Sequence, residues 1–382
     1  MKILFLSQGN HDDITLWSGT VYNLSSMLES LGHKVKYIDN IRVNPYISRV
    51  LKIRDIITKK NYKLDRSKFI LKNHANKIHK ELKQNEYDLI FSPSTLPIAY
   101  LKTRIPIVTF TDATFNNMVN YYDGFCNLSK SSLRDGNYHE KMALEKCSMA
   151  IYSSEWASQS SIKDYNIEES KVKVINFGAN VKNEYKINDI ELMIEEKINT
   201  TLELLFIGVD WDRKGGVTVL KTLEKIKSNN IDVKLNIVGC IPEIPSNLKE
   251  DINIYGFLNK SKKEDLSIIT KLFEQSHFLF VPTQKEAFGI VYAEASSYGL
   301  PSIATNTGGV SSAIRDGYNG YCLPIDSDEE DYSKLILDIF KDKDRYKTLC
   351  RTSYNEYITR LNWNTVGGCI ESVLNQVTKI TR

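Results

Sequence analysis

The sequence lacks the features that mark a membrane-spanning, secreted or metal-binding protein. No stretch of its 382 residues approaches the ~18 uninterrupted apolar residues that a membrane-spanning helix needs. The N-terminal MKILFLSQGN has too short an apolar run for a signal peptide and no small-residue cleavage site after it, so we expect a first β-strand there. The six cysteines show neither a C-x-x-C nor a Cys/His metal spacing, which favours free thiols in a cytoplasmic protein over disulfides or a metal site.

The sequence also has little net charge. Fifty Lys and Arg residues stand against 47 Asp and Glu, which leaves a formal charge of +3. Because the positive and negative charges nearly cancel, the sequence argues against a protein that binds nucleic acid through bulk charge. At 382 residues, 42% hydrophobic and 25% charged, the chain has an ordinary globular composition and is longer than one core usually serves, so two domains are expected.

Short apolar runs alternate with helical patterns along the chain. MKILFLS, a helix opened by Ser18, Gly19 and Thr20, and then HKVKYID form the strand, helix and strand with which a doubly wound parallel sheet begins. The loop between them lacks G-x-G-x-x-G, which argues against a dinucleotide site in this half. The pattern restarts at TLELLFIGVD, after a polar connection over residues 183–201 in which we expect only one or two helical turns.

The expected fold class is therefore α/β, with two doubly wound Rossmann-like domains facing a cleft. The C-terminal helices are expected to pack back on the N-terminal domain. The predicted domains are a first Rossmann-like domain at 1–180, a second Rossmann-like domain at 181–360 and a crossing helix at 361–382.

The stretch VPTQKEAFGIVYAE, residues 281–294, carries the main functional signal. The apolar HFLFV at its start predicts a strand buried on both faces, and GIVYAEASSYG predicts a short helix. A helix start at the carboxyl end of a parallel strand offers free backbone N–H groups to an anionic ligand. Glu286 could accept hydrogen bonds from sugar hydroxyls, and Glu294, two turns into the helix, could take the paired hydroxyls of a ribose. The alternative for both is an ordinary solvated acid.

Two cations follow an earlier strand of the second half. After LLFIGV comes DWDRKGG, in which Arg213 and Lys214 precede two glycines. A guanidinium fork and a point cation suit a diphosphate, although the same tetrapeptide in a surface turn would be unremarkable. Because both strands end at one edge of a parallel sheet, we expect these cations and the helix start near Gly289 to face one ligand. They would neutralise the charge that grows on a leaving phosphate, without a metal.

Asp112 is the candidate site residue of the first half. It lies just past the predicted strand IPIVTFTD, at the end where open α/β sheets bind ligands. The alternative is a turn residue that caps the next segment.

These residues resemble a known signature. The pattern E-x-F-G with a second glutamate eight positions after the first, here Glu286, Ala287, Phe288, Gly289 and then Glu294, resembles that of glycosyltransferase family 4, the retaining enzymes of GT-B fold. GLPSIATNTGGVSSAIRDGYNGYCLP resembles the segment that follows in that family, VINFGAN its interdomain hinge and LGHKVKYI its first crossover. The resemblance covers nearly the whole chain and implies that the domain at 1–180 binds the acceptor and the domain at 181–360 binds the nucleotide sugar.

The resemblance implies transfer of a hexose from a nucleotide-diphosphate sugar, with uridine as the expected base, to a hydroxyl acceptor such as a glycan, a lipid-linked or a protein-linked sugar. It implies retention of configuration and no cofactor or metal. It assigns the donor-sugar hydroxyls to Glu286, the ribose to Glu294 and the phosphate to Lys214. The other implied contacts are the backbone of Phe288, Gly289, Ile290 and Val291, and the turn Ser18, Gly19 and Thr20.

Two positions depart from the family pattern. The family usually has Gly-Arg where this chain has Gly208 and Val209, so Arg213 is the candidate substitute for the phosphate-binding arginine. Asp112 stands where many members carry a histidine near the acceptor. The candidate catalytic residues are thus Asp112, Arg213, Lys214 and Glu286. The rival interpretations are a sugar-nucleotide epimerase of the same fold and a non-catalytic protein that binds a partner enzyme or a glycan.

Residues 42–83 form a basic region, with 13 Lys or Arg against three acids. One interpretation is a set of helices with solvated Lys faces, on which His74 and His79 are also solvated. The other is a surface that contacts anionic lipid or an anionic acceptor, which would place the protein at the inner face of the membrane.

Overall fold

The structure is a computed structural model that describes residues 1–41, 59–181 and 183–380. Of the predicted basic region, the part from 42 to 58 lies outside the described residues. The structure therefore describes the predicted membrane-contacting surface only from residue 59 onwards.

The contacts of the chain divide it into two compact units. The first unit consists of Met1–Asn176 together with Val366–Arg382, and the second is Phe177–Thr365. The boundaries expected from the sequence were at residues 180 and 360.

The first unit contains a parallel sheet of six strands within the described residues. Its strands are β1 (Lys2–Leu6), β2 (Lys34–Ile38), β3 (Leu89–Ser92), β4 (Ile107–Thr111), β5 (Met149–Tyr152) and β6 (Val172–Val174). The order β2-β1-β3-β4-β5-β6 makes it doubly wound, with the winding direction reversing between β1 and β3. Strands β3, β4 and β5 are buried along their whole length, which explains their continuous apolar sequences.

Helices cover this sheet. They are α1 (Thr20–Ser30), α2 (Lys68–Gln84), α3 (Phe115–Met118), α4 (Lys130–Lys146) and α5 (Glu155–Tyr165). Ser129 and Ser154 begin α4 and α5, because each hydroxyl accepts a hydrogen bond from a backbone N–H of the first turn.

The expectation that His74 is solvated is wrong. His74 lies on the buried face of α2 with Ile70, Leu71 and Ile78, because a spacing of three or four residues puts it on the apolar stripe. In the described part of the chain neither ring nitrogen has a hydrogen-bond partner, and burial lowers the pKa of His74 to about 4. His79 is partly exposed and accepts a hydrogen bond from the backbone N–H of Lys102 at 3.0 Å.

The second unit repeats the architecture. In the described ranges its strands are β7 (Leu202–Ile207), β8 (Val233–Val238), β9 (Ile252–Gly256), β10 (Phe278–Val281), β11 (Ser302–Thr305) and β12 (Gly320–Leu323). They form a parallel sheet in the order β12-β11-β10-β7-β8-β9. The remaining helices are α6 (Ile187–Lys197), α7 (Gly216–Ser228), α8 (Lys263–Gln275), α9 (Ile290–Ser296), α10 (Val310–Ala313), α11 (Glu329–Lys341), α12 (Lys343–Thr359) and α13 (Trp363–Ile380).

The expected polar connection over residues 183–201 is instead a helix that contributes to the core. Helix α6 is 11 residues long, and Ile190 and Ile194 on one of its faces are buried. Its polar face is held to α12, where Glu191 pairs with Arg351 at 2.6 Å. The local composition is polar because only one face of the helix is buried, and the apolar residues on that face, such as Ile190 and Ile194, recur only every four positions.

Helix α13 begins in the second unit and, from Val366 onwards, belongs to the first. Glu371 on this helix accepts from His33 Nε2 at 2.7 Å, and a Cβ added to Gly367 would lie 3.2 Å from Met27 Cγ. Helices α11 and α12 belong to the second unit. None of the helices in the described ranges combines the length and apolarity needed to cross a bilayer.

Candidate functional site

The carboxyl ends of β7 and β10 lie side by side in the second unit. The two strands are parallel neighbours, with Leu204 opposite Phe278 and Leu205 opposite Leu279. The turns that follow them therefore leave the sheet at one edge. This is the edge at which the sequence placed its donor-site candidates.

These two turns bring Lys214 and Glu286 into an ion pair across 72 residues of sequence. Their side chains are 12% and 14% exposed, so the pair is shielded from most of the solvent but can still be reached by a ligand. Salt screens a partly buried ion pair less than it screens a surface pair. A ligand that binds one partner of the pair must also stabilise the charge of the other, which would otherwise be left buried without a counter-charge.

Arg213 ties the two turns together. Its Nε donates to Asp210 Oδ2 at 3.1 Å, and its Nη1 donates to the backbone oxygen of Lys285 at 2.9 Å. The same Nη1 lies 3.8 Å from Glu286 Oε2, so Arg213 and Lys214 both face one carboxylate. The guanidinium thus positions the turn that carries Glu286.

The backbone of the Arg213 turn is packed directly against the end of β10. Gly215 has a φ of +81°, and a Cβ added there would lie 2.0 Å from the backbone oxygen of Pro282. The carbonyl oxygen of Arg213 also accepts from the N–H of Gln284 at 2.9 Å. Only glycine allows this approach, which is why a glycine follows Lys214.

Residues 288–291 lead from the Glu286 turn into α9. Gly289 has a φ of +86°, and a Cβ there would meet the ring of Tyr292 at 2.3 Å. Phe288 is buried and packs edge-on against Phe177, with ring centroids 5.5 Å apart. Ile290 and Val291 form the start of α9, which ends at Ser296 and is shorter than its sequence pattern predicted.

Glu294 lies one turn into α9, where two turns were expected, because the helix begins only at Ile290. It is 1% exposed and forms an ion pair with Lys260, which follows β9. The sequence analysis missed Lys260, since it lies 34 residues from Glu294 and in no recognisable motif. The only signal that could have found it is that β9, like β7 and β10, ends at this edge of the sheet.

The first unit holds the other candidates at the carboxyl ends of β1 and β4. Trp17, Ser18 and Gly19 have successive φ values of 51°, 54° and 89°, and α1 begins at Thr20. Trp17 Nε1 donates to Asp112 Oδ2 at 3.0 Å. The hydroxyl of Thr114 caps α3, so Asp112 does not have the capping role that was its alternative.

No group of three or more His, Cys, Asp or Glu side chains suited to a metal ion occurs within residues 1–41, 59–181 and 183–380. The six cysteines are unpaired. The charged groups that meet at the edge of the second sheet are Asp210, Arg213, Lys214, Lys260, Glu286 and Glu294.

Two family models match the chain. The model described as "Glycosyltransferase Family 4" matches residues 19–183, and the model described as "Glycosyl transferases group 1" matches residues 188–356. The chain belongs to glycosyltransferase family 4. Its Lys214 and Glu286 fall inside the second match, and Asp112 falls inside the first.

Two relatives of this family 4 glycosyltransferase share about a quarter of their residues with it over the matched ranges. Spore coat protein SA of Bacillus subtilis (strain 168) is 23% identical to it over 77% of this chain and 79% of its own. N-acetyl-alpha-D-glucosaminyl L-malate synthase of Bacillus anthracis is 26% identical over 48% of this chain and 45% of its own.

Solved structures share the fold of this glycosyltransferase. Sucrose-phosphate synthase from Thermosynechococcus elongatus superimposes with a TM-score of 0.71 at 16% identity, covering 100% of both chains. The Anabaena protein HepE, solved in complex with UDP, gives 0.64 at 18% identity over 98% of this chain and 100% of its own. At these identities the likeness shows the fold alone, which is the two-sheet α/β architecture of GT-B glycosyltransferases.

Proposed function

We propose that this glycosyltransferase transfers a hexose from a UDP-sugar to a hydroxyl acceptor, with retention of configuration and without a metal. The observation that carries the proposal is the ion pair of Lys214 with Glu286, braced by Arg213, at the carboxyl edge of the second sheet. Cations at that edge match the charge of a diphosphate, and a carboxylate beside them matches the hydroxyls of a sugar. The fold shared with a protein that binds UDP supports uridine as the base.

In the proposed donor complex Lys214 exchanges its partner Glu286 for a phosphate oxygen. This frees Glu286 to accept hydrogen bonds from the donor sugar. Glu294 accepts hydrogen bonds from the ribose hydroxyls, and these bonds either replace its ion pair with Lys260 or form beside it. The backbone of residues 288–291 approaches the sugar and diphosphate, while Asp112 and the turn of Ser18, Gly19 and Thr20 serve the acceptor side.

The proposed reaction breaks the bond between the sugar C1 and the phosphate oxygen and forms a bond between C1 and the acceptor oxygen. The leaving phosphate accepts the acceptor's proton on the same face, so the configuration at C1 is kept. Lys214 and Arg213 stabilise the negative charge that develops on the phosphate. Opposite unit charges 4 Å apart attract by about 4 kcal/mol at an effective dielectric constant of ~20. The attraction of two cations to the charge that develops on the phosphate therefore lowers the activation free energy of transfer.

The experiment that tests this function is a thermal-shift panel of UDP, GDP, ADP and their sugar derivatives. We expect only the uridine nucleotides to raise the melting temperature, because a ligand at 100 times its Kd stabilises the folded state by about 2.7 kcal/mol. Stabilisation by GDP or ADP instead of UDP would refute the base assignment. If no nucleotide stabilises the chain, the result would favour the alternative of a non-catalytic protein that binds a partner enzyme or a glycan.

A second measurement on the stabilising sugar nucleotide separates transfer from epimerisation. We expect the sugar of the donor to stay unchanged in the absence of an acceptor, apart from slow hydrolysis. The anomeric proton of the transfer product, observed by NMR, should show the configuration of the donor. Conversion of the sugar without an acceptor would establish the epimerase alternative.

We also propose that α2 contacts the anionic inner face of the cytoplasmic membrane. Phe69, Lys72, Lys80 and Lys83 lie on one exposed stripe of this helix, and Phe69 is 60% exposed. An exposed aromatic ring among lysines suits the interface of an anionic bilayer. The unpaired cysteines fit a reducing compartment such as the cytoplasm.

Co-sedimentation with vesicles tests this surface. We expect the full chain to pellet with phosphatidylcholine vesicles that contain phosphatidylglycerol and not with pure phosphatidylcholine. The double variant Phe69→Ser, Lys80→Glu should lose binding, whereas Lys249→Glu, at an exposed lysine of the second unit, should keep it. If the unmodified chain stays in the supernatant with both vesicles, the stripe is a solvated lysine face.

A further inference from the structure

We propose that Lys260 binds the ribose of the nucleotide together with Glu294, and that their ion pair persists in the donor complex. One ribose hydroxyl donates a hydrogen bond to the Glu294 carboxylate, and the oxygen of the adjacent hydroxyl accepts one from the Lys260 ammonium. The inference rests on the proposed function, because it deepens the assignment of Glu294 to the ribose. It makes Lys260 a residue that selects ribonucleotides over deoxyribonucleotides.

The ion pair joins distant parts of the carboxyl edge of the second sheet. Lys260 lies in the turn after β9, and Glu294 lies on α9, which follows β10. In the sheet these two strands are separated by β7 and β8, so the two side chains meet across the edge. The proposed diphosphate contact, Lys214, follows β7 and lies at the same edge. A nucleotide bound there therefore has its phosphate and ribose contacts on one side of the sheet.

Lys260 is the accessible half of this ion pair. Its side chain is 30% exposed, whereas that of Glu294 is 2% exposed. The ammonium contacts Oε1 of Glu294, and Oε2 accepts no hydrogen bond from the residues that the structure describes. A ligand that approaches this carboxylate from solvent must therefore pass beside the ammonium. A ribose hydroxyl that reaches Glu294 consequently brings its neighbour close to Lys260.

The turn that carries Lys260 is held in place by hydrogen bonds. Asn259 Oδ1 accepts from the backbone N–H of Ser261 at 3.0 Å, which closes an Asx turn around Lys260. The backbone N–H of Asn259 donates to Asp265 Oδ2 on α8 at 2.8 Å, so the turn is also fastened to the helix that follows it. The backbone of Lys260 is thus fixed, and its side chain is directed to Glu294 by the fold.

Stability alone does not account for this ion pair. Taking two charges out of water costs free energy, and apolar side chains of similar size are often as stabilising as a buried ion pair. The pair also has hydrogen-bonding capacity that it does not use. An ammonium has three donors and a carboxylate has two acceptor oxygens, whereas the contact between Lys260 and Glu294 uses one donor and one oxygen.

Two adjacent ribose hydroxyls match this capacity. Each hydroxyl can donate one hydrogen bond and accept others, whereas a carboxylate only accepts and an ammonium only donates. With both charges side by side, one hydroxyl donates to Glu294 Oε2 while the oxygen of the other accepts from Lys260 Nζ. A nucleotide that lacks either hydroxyl loses one hydrogen bond to a charged group and leaves that group unsatisfied, which is the stronger basis for discrimination.

Calorimetric titration of the full chain with UDP, 2′-deoxy-UDP and 3′-deoxy-UDP tests this assignment. We expect each analogue to bind about tenfold more weakly than UDP, or worse, because each lacks one hydrogen bond to a charged group. Lys260→Met keeps the length of the side chain and removes its charge, so one of the two penalties should fall below about twofold while the other remains. In Glu294→Gln the other penalty should be the one that falls.

Three further variants separate recognition from folding. Lys260→Arg keeps a cation that donates to both the carboxylate and a hydroxyl, so both penalties should persist. The double variant Lys260→Met, Glu294→Gln removes both charges and leaves no buried carboxylate without a counter-charge, so it should fold and lose both penalties. Lys262→Met, at an exposed lysine of the same turn, should bind all three nucleotides as the unmodified chain does. The melting temperature of each variant checks its folding.

The proposal is refuted if folded Lys260→Met keeps both penalties, because Lys260 would then serve only as a counter-charge. It is also refuted if this variant binds UDP more tightly than the unmodified chain, because the ribose would then displace Lys260. Both results leave the donor assignment of the proposed function intact. If the unmodified chain binds UDP and both analogues equally, the assignment of Glu294 to the ribose is wrong as well. A chain that binds none of the three overturns the proposed function and, with it, this inference.

Discussion

Replacing Glu286 with Ala is expected to lower transfer at least ~100-fold, the usual cost of losing one transition-state contact. Two effects act together. In the proposed complex the donor sugar loses the carboxylate that accepts hydrogen bonds from its hydroxyls, and in the ligand-free protein Lys214 loses its ion-pair partner. Because the Glu286 backbone oxygen still accepts from Gly309 N–H at 3.0 Å, the turn itself should be retained.

The measurement is the rate of product formation by mass spectrometry, with the melting temperature as a check on folding. Glu286→Gln separates charge from shape, since it keeps the hydrogen-bonding side chain and removes the ion pair. Glu243→Ala, in an exposed loop of the same unit, is the matched control and should transfer normally. Full turnover by Glu286→Ala at an unchanged melting temperature would refute the donor-site assignment.

Replacing Lys214 with Ala is expected to weaken UDP binding by about 10- to 150-fold, because a charge-assisted hydrogen bond contributes about 1.5–3 kcal/mol. Arg213→Ala should weaken it at least as much if Arg213 substitutes for the family's phosphate-binding arginine. Arg213 also holds Lys285 and Asp210, so its loss releases the turn that carries Glu286.

Calorimetric titration with UDP measures both variants against Lys221→Ala. Lys221 is an exposed lysine on α7, and its substitution should leave the affinity unchanged. An unaltered UDP affinity in Arg213→Ala, with loss in Lys214→Ala, would restrict the phosphate contact to the lysine. Unaltered UDP affinity in both variants would show that the diphosphate does not bind at this edge of the sheet.

The sequence predicted the fold well because parallel strands impose simple rules. A buried strand reads as a continuous apolar run, and two strands that are neighbours in the sheet end at one edge. That is how Lys214 and Glu286, far apart in the chain, were expected on the same edge from the sequence. The GT-B architecture and the family were expected because Glu286, Phe288, Gly289 and Glu294 resemble the family signature.

What the sequence did not predict depends on contacts between distant positions. The partner of Glu294 is Lys260, and the partner of Arg66 is Glu140, 74 residues away. No local pattern distinguishes these residues from solvated charges, since only the folded chain buries them. Helix α6 and His74 were misjudged for the related reason that a single covered stripe is hidden in a polar composition.

The course of α13 determines how the protein can be divided for experiments. Cutting the chain after Asn176 would give a first unit without residues 366–382, and so without the helix that contacts Met27 and His33. The first unit is thus discontinuous in sequence although it is compact in space. To study the first unit in isolation, residues 366–382 would have to be joined to residue 176 by a linker or supplied as a separate peptide.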